Sequence, residues 1–173
     1  MSVSSPFDNR ARRALRPLAA LPGWLARPLR DRAIGRVIPF VGTAGIALER
    51  LDDDAAVVRL RNRRRVQNHI GGVHAAATAL LAETATGLAL GWHLPDDATP
   101  LLASLEVRYL RRVQGGLRAT AQLPHDAIAR LRGEPKGELE VPVAVVDDAG
   151  ETTVACSLRW AWIPRRREPP AAP

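Results

Sequence analysis

Between Asn68 and Leu94 the chain runs through alanine, leucine, threonine and glycine with one formal charge, Glu83. The stretch is too long and too rich in alanine for a strand. It is expected to be a helix that starts after Gly71-Gly72 and ends near Gly91. Its apolar residues go nearly all the way round, so it must be covered on most sides. A membrane span is the rival reading. Alanine, threonine, glycine and histidine insert weakly, however, and Glu83 would sit near the bilayer centre at a cost of about 3 kcal/mol. The segments on either side also need an apolar partner, so the helix is expected to be the core of a folded domain.

Those flanking segments carry apolar residues with a period of two, the mark of half-buried strands. Before the helix, Ala44, Ile46 and Leu48 alternate with Gly45 and Ala47, and Val58 and Leu60 with Arg59 and Arg61. After it come runs through Leu105, Val107 and Tyr109, from Leu117 to Leu123, from Leu139 to Val145 and from Val154 to Trp162. They make about six strands. Gln114-Gly115-Gly116 and Asp147 to Gly150 have hairpin chemistry, so the last four strands are expected to form an antiparallel meander, with Pro142 marking an edge or a bulge. Residues His125 to Arg132 read as a short helix within a connection. A long helix wrapped by a curved antiparallel sheet buries both apolar surfaces at once, which is an α+β architecture.

The length fits one domain, divided as an arginine-rich helical extension over residues 1–41 packed on the body, the body over 42–163, and a disordered proline-rich tail over 164–173. Pro17, Pro22-Gly23 and Pro28 should break the extension into two or three short helices. Its arginines and Trp24 also suit a membrane surface, but packing on the domain is the favoured and expected arrangement. The net charge is +7, and all 25 basic residues except Lys136 are arginine, which favours anionic partners unless it reflects composition alone. Aromatic residues are 4% and are not interleaved with the basic ones, which argues against a nucleic-acid partner. The single cysteine, Cys156, allows no intrachain disulfide, and no secretion signal opens the chain, so a cytoplasmic location is expected.

A carboxylate in the middle of an apolar helix is the most informative residue. Burying it without a partner is costly, so Glu83 either pairs with an arginine, emerges at a subunit boundary, or serves chemistry. The segment Asn68-His69-Ile70-Gly71-Gly72-Val73-His74 places an amide, an imidazole and flexible backbone where unpaired helical N–H groups can bind an oxyanion. Gly71-Gly72 also fits a plain turn, and His74 a capping residue.

These residues resemble the hotdog-fold acyl-CoA thioesterases of the 4-hydroxybenzoyl-CoA thioesterase-like kind, and more closely a subgroup known as an uncharacterised domain, DUF4442. Members carry an Asn or Gln, then glycines and often a histidine at the helix start, then an acidic residue fifteen positions after the amide. Asn68 and Glu83 have that interval, and His74 lies at the family histidine. Ala75-Ala76 stand in place of the usual Gly-Gly, and Arg112 in place of a proline in the strand motif that starts at Ser104. The resemblance implies a hotdog fold and hydrolysis of an acyl-CoA to free acid and CoA. It implies catalytic roles for Glu83, Asn68, His74 and the Ala75 amide, with Gly71, Gly72, Arg65, Arg111 and Arg112 contacting the substrate. It implies a homodimer or dimer of dimers whose sites cross the interface, no metal, and no cofactor beyond the coenzyme A of the substrate. The alternatives are a non-catalytic acyl-CoA or lipid-binding hotdog protein and a hotdog dehydratase or hydratase; the latter usually has a histidine where this chain has Asn68.

Overall fold

The structure, a computed structural model, describes residues 7–165. Three helices come first, α1 (Arg10–Ala19), α2 (Gly23–Val37) and α3 (Pro39–Ala44), followed by β1 (Ala47–Leu51) and β2 (Ala56–Leu60). The long helix α4 (Ala75–His93) leads to β3 (Ala98–Tyr109), β4 (Leu117–Ala121), α5 (His125–Gly133), β5 (Gly137–Glu140), β6 (Val143–Asp147) and β7 (Thr152–Pro164). The seven strands form one antiparallel sheet in the order β1-β2-β4-β6-β7-β3, with β5 also on β7. Of the tail expected over 164–173, Pro164 closes β7, Arg165 donates its N–H to Asp97 O at 2.6 Å, and the remaining residues lie outside the described ones.

Helix α4 has the place its composition demands. Leu81, Ala82, Ala85, Thr86 and Leu90 are fully buried against Val58 and Leu60 of β2, Leu117, Ala119 and Ala121 of β4, and Leu158 and Trp162 of β7. Small side chains bring the sheet close. A Cβ on Gly87 would meet the Trp160 ring at 3.0 Å, and Trp160 Nε1 donates to Thr86 Oγ1 at 3.0 Å. The buried threonines cost little, because Thr84 Oγ1 donates back to Leu80 O at 2.6 Å and Thr86 Oγ1 to Ala82 O at 3.0 Å. No described helix is long and apolar enough to cross a membrane.

Four expectations are corrected. The last strands are not a meander: β3 pairs with β7, not β4, and lies at the opposite edge from β1. Length decides this, because the 12-residue β3 and the 13-residue β7 match along most of their span, whereas β4 matches the five-residue β2 and β6. The glycines at 115 and 116 therefore serve a close crossing and not a hairpin: Gly115 has φ +73, and a Cβ on Gly116 would meet Leu60 O at 2.6 Å. The run from Leu139 to Val145 is two strands, parted at Val141-Pro142. Ala44 ends a helix rather than opening a strand, since Gly45 at φ +70 gives α3 its left-handed cap. Finally, Pro17 lies inside α1 and Pro28 inside α2, so neither breaks its helix; Pro22, which precedes α2, and Pro39, which opens α3, set the boundaries.

One buried side chain fastens the N-terminal helices to the core. Asn9 is 2% exposed. Its Oδ1 accepts the Arg12 N–H at 2.9 Å and so caps α1, while Nδ2 donates to Gly91 O at 3.0 Å and Leu94 O at 2.9 Å at the far end of α4. Arg12 adds a bond from Nε to Trp92 O at 3.0 Å, stacks 4.7 Å from the Trp92 ring centre and pairs with Asp53. Asp31 of α2 accepts the Leu48 N–H of β1 at 2.8 Å, and burial raises its pKa.

Asn9→Ala should lower stability by about 2 kcal/mol in urea unfolding, through loss of the cap and of buried carbonyl partners. Asn9→Asp, which keeps the cap acceptor but faces α4 carbonyls, should recover little of it. A second expectation concerns His93, which is pushed from its ordinary 6.5 down to about 4 by burial and by Arg132 and Arg12. The unfolded chain takes up a proton that the folded one refuses. The contribution of the neutral ring is therefore complete above pH 6.5 and is lost progressively as pH falls from 6.5 toward 4. Urea midpoints of His93→Gln should vary less with pH than those of the parent across that window.

Candidate functional site

A 3-10 turn over Arg64–Val66 and a loop lead into α4. The loop is closed by Asn68, whose N–H donates to Gly72 O at 2.8 Å and whose Oδ1 accepts the Ile70 and Gly72 N–H groups at 3.1 and 3.0 Å. Gly71 takes φ +77 at the tip, where a side chain would be strained. Gln67 and Val73 bridge the base of the loop, and His74 N–H donates to Val66 O at 2.8 Å. The site is thus a tied loop running into a helix start, and not a loose glycine linker.

His74 is the N-cap of α4. Its Nδ1 accepts the Ala76 N–H at 3.0 Å, which leaves Nε2 to carry the proton of the neutral ring. The neighbouring Ala75 N–H has no acceptor among the described residues. It is an open donor at the positive end of a 19-residue helix. Asn68, Gly71, Gly72, His74 and Ala75, singled out in the sequence, are therefore brought together here. The oxygen of Asn68 and the Nδ1 of His74 are engaged in building the loop and the cap, so the groups they still offer are Asn68 Nδ2 and His74 Nε2.

Glu83 lies farther along. It is half-buried on the one side of α4 that the sheet leaves partly open, in line with Ala75 and Ala79 at four-residue spacing. Its carboxylate forms no ion pair or hydrogen bond with any described residue. Eight residues of helix put Glu83 about 12 Å along the axis from Ala75, too far for both to act on one carbonyl group within a single chain.

The expected arginines separate. Arg111 and Arg112 follow the end of β3, where Arg111 pairs with Glu151 at 2.9 Å. Arg65 points to the other side of the loop, its guanidinium in the space that a Cβ on Gly45 would fill. A residue absent from the expected set, Tyr109, does touch the site: its hydroxyl donates to Ala75 O at 2.9 Å. It is the one tyrosine of the chain and ends β3, and no spacing in the sequence reports that contact with the helix start. Among the described residues no three His, Cys, Asp or Glu side chains gather as metal ligands.

With this geometry in view, the chain is similar in structure to a Pseudomonas aeruginosa protein described as of unknown function and a probable thioesterase. The two are 26% identical with a TM-score of 0.70, over 84% of this chain and 97% of that one. It is also similar to a thioesterase from Haemophilus influenzae, at 17% identity and a TM-score of 0.62 over 78% and 90% of the two chains. A third, a mutant of a thioesterase enzyme from Staphylococcus aureus, has 19% identity and a TM-score of 0.60 over 73% and 99%. No curated protein matches. The family model described as Domain of unknown function (DUF4442) matches residues 27–163, from α2 through β7. The chain belongs to that family and has the fold of the hotdog thioesterase superfamily.

Proposed function

We propose that the protein is an acyl-CoA thioesterase whose active site joins the Ala75 amide of one subunit to Glu83 of another. The observation that carries this reading is the pair of uncommitted groups on α4, an open N–H at its start and an unpaired carboxylate about 12 Å along its axis. Two copies of α4 packed antiparallel and crossing at Ala79, with Ala75 of one opposite Glu83 of the other, bring each amide to the other chain's carboxylate.

The free edge of the sheet supports the same assembly. Among the described residues β3 pairs only with β7, so its other edge offers N–H and C=O groups along 12 residues that no described strand pairs, and Leu101, Leu105 and Tyr109 on it are exposed. Such an edge is normally covered or blunted, and a second copy covers it symmetrically. A free edge of this kind supports a homodimer, or a dimer of dimers.

In the reaction, the thioester oxygen accepts the Ala75 N–H, aided by the helix dipole. Glu83 either takes a proton from water, whose oxygen attacks the carbonyl carbon, or attacks that carbon itself. The tetrahedral oxyanion collapses, the C–S bond breaks, and the CoA sulfur leaves and takes up a proton; in the second route water then hydrolyses the acyl–Glu83 anhydride, which releases the acid and returns the carboxylate. His74 Nε2 and Asn68 Nδ2 are placed on the rim of this site as polar contacts for carbonyl or water. The interval of fifteen residues between Asn68 and Glu83 also equals that between the glutamine and the glutamate replaced in two mutant structures of the Staphylococcus aureus protein.

Glu83→Gln should abolish release of free thiol from acyl-CoA while the oligomer persists in light scattering; undiminished hydrolysis defeats the assignment, and acyl-CoA binding without turnover in the parent makes the chain a binding module. Ala75→Pro removes only the oxyanion donor at a helix position that tolerates proline, and should lower kcat about a hundredfold with little change in stability. Mixing the two inactive variants should restore about a quarter of parental activity, because each mixed dimer contains one intact site. A mixture that stays inactive, although subunits exchange, rejects the shared site.

A further inference from the structure

A cavity of about 860 Å³ lies between α2, α3 and the strands β1 and β2, on the side of the loop that Arg65 faces. Helix α2 contributes Arg27, Arg32 and Arg36, and the segment after β2 contributes Arg61, Arg63 and Arg65. None of these six makes an ion pair with a described residue. The carboxylates in the wall are already engaged. Asp31 accepts the Leu48 N–H at 2.8 Å, and Glu49 takes Arg118 at 2.7 Å and Arg59 at 3.9 Å.

Six arginines without an ion pair outnumber the two carboxylates of the wall, Asp31 and Glu49, so the concavity is strongly cationic and attracts anions of more than one charge. The walls are held in place by backbone. Gly35 and Gly42 let α2 and α3 cross so closely that a Cβ on either would meet the other's Cα at 3.0 Å, and Gly45 makes room for the Arg65 guanidinium. The Asp31 bond ties α2 to β1. The backbone positions that carry the arginines on opposite walls are therefore set by the fold itself. Guanidinium forks match phosphate oxygens two at a time, and several forks across a fixed gap suit more than one phosphate group.

We propose that this cavity binds a ligand carrying two or more phosphate groups, either the phosphate-bearing portion of the thioester substrate or a separate phosphorylated molecule. The binding itself does not depend on the thioesterase reading; only the identity of the source does. His74 is nine residues beyond Arg65 on the same segment, so cavity and helix start share one loop.

Calorimetric titration of the full chain with inorganic pyrophosphate tests it, with inorganic phosphate as comparator. Saturable binding is expected, tighter for pyrophosphate and weaker at raised salt. Arg36→Glu and Arg63→Glu should each weaken it about tenfold or more, and so should the milder Arg36→Gln and Arg63→Gln to a smaller degree, while Lys136→Glu, away from the cavity, leaves it unchanged. Unliganded melting curves of each variant verify folding. Absence of saturable pyrophosphate binding to the parent, or equal weakening by Lys136→Glu, overturns the proposal. Titration with free CoA and hydrolysis assays then separate the sources. A KM for acyl-CoA that rises in step with the lost pyrophosphate affinity, at unchanged kcat, assigns the phosphates to the substrate; an unchanged KM assigns them to a second ligand. Glu83→Gln should bind pyrophosphate like the parent, so failure of the thioesterase reading and failure of this one are read from different measurements.

Discussion

Everything in this protein is arranged around the enclosure of one apolar helix. With so little polarity of its own, α4 is stable only inside the sheet, and its small side chains let β2, β4 and β7 approach closely enough to exclude water. Enclosure leaves the chain's polar needs at the two ends of the helix. At the C-terminal end the carbonyls are met by Asn9 and Arg12 from a distant helix. At the N-terminal end His74 satisfies one amide, and the Ala75 N–H stays open. The polar groups are satisfied at one end of α4, and a donor is left open at the other.

The helix and most strands were legible because their signals are local. An alanine-rich run with one charge and period-two alternation from Leu117 to Ala121 or from Val154 to Trp162 need no knowledge of neighbours. Pairing is not local. The glycines at 115 and 116 look like a hairpin, and only the matched lengths of β3 and β7 show that they serve a crossing. Gly45 gave the same ambiguity on a smaller scale, since alternation across Ala44, Ile46 and Leu48 hides a helix end.

The candidate site was legible to the same extent. Asn68, Gly71, Gly72, His74 and Ala75 are contiguous, so their juxtaposition follows from the chain itself. Tyr109 and the separation of Arg65 from Arg111 and Arg112 depend on where β3 and the first helices pack, which no spacing reports. Loop structure also redefines what the sequence offers: half of the hydrogen-bonding capacity of Asn68 and His74 holds the loop and helix start in shape, and what is left faces outward. A tied loop of this kind presents its donors already oriented, which favours a reaction that depends on aiming an N–H at a developing charge.

The bond from Asn9 to Leu94 O spans 85 residues of sequence. During synthesis Asn9 leaves the ribosome long before the residues it will cap exist. The first helix can form early, yet it has nothing to grip until α4 has emerged to its last turn. Until then the carbonyls at the growing end of α4 depend on water, and the apolar faces of both helices depend on whatever is nearby. The clasp therefore acts as a late latch on the nascent chain, closing only when the central helix is complete.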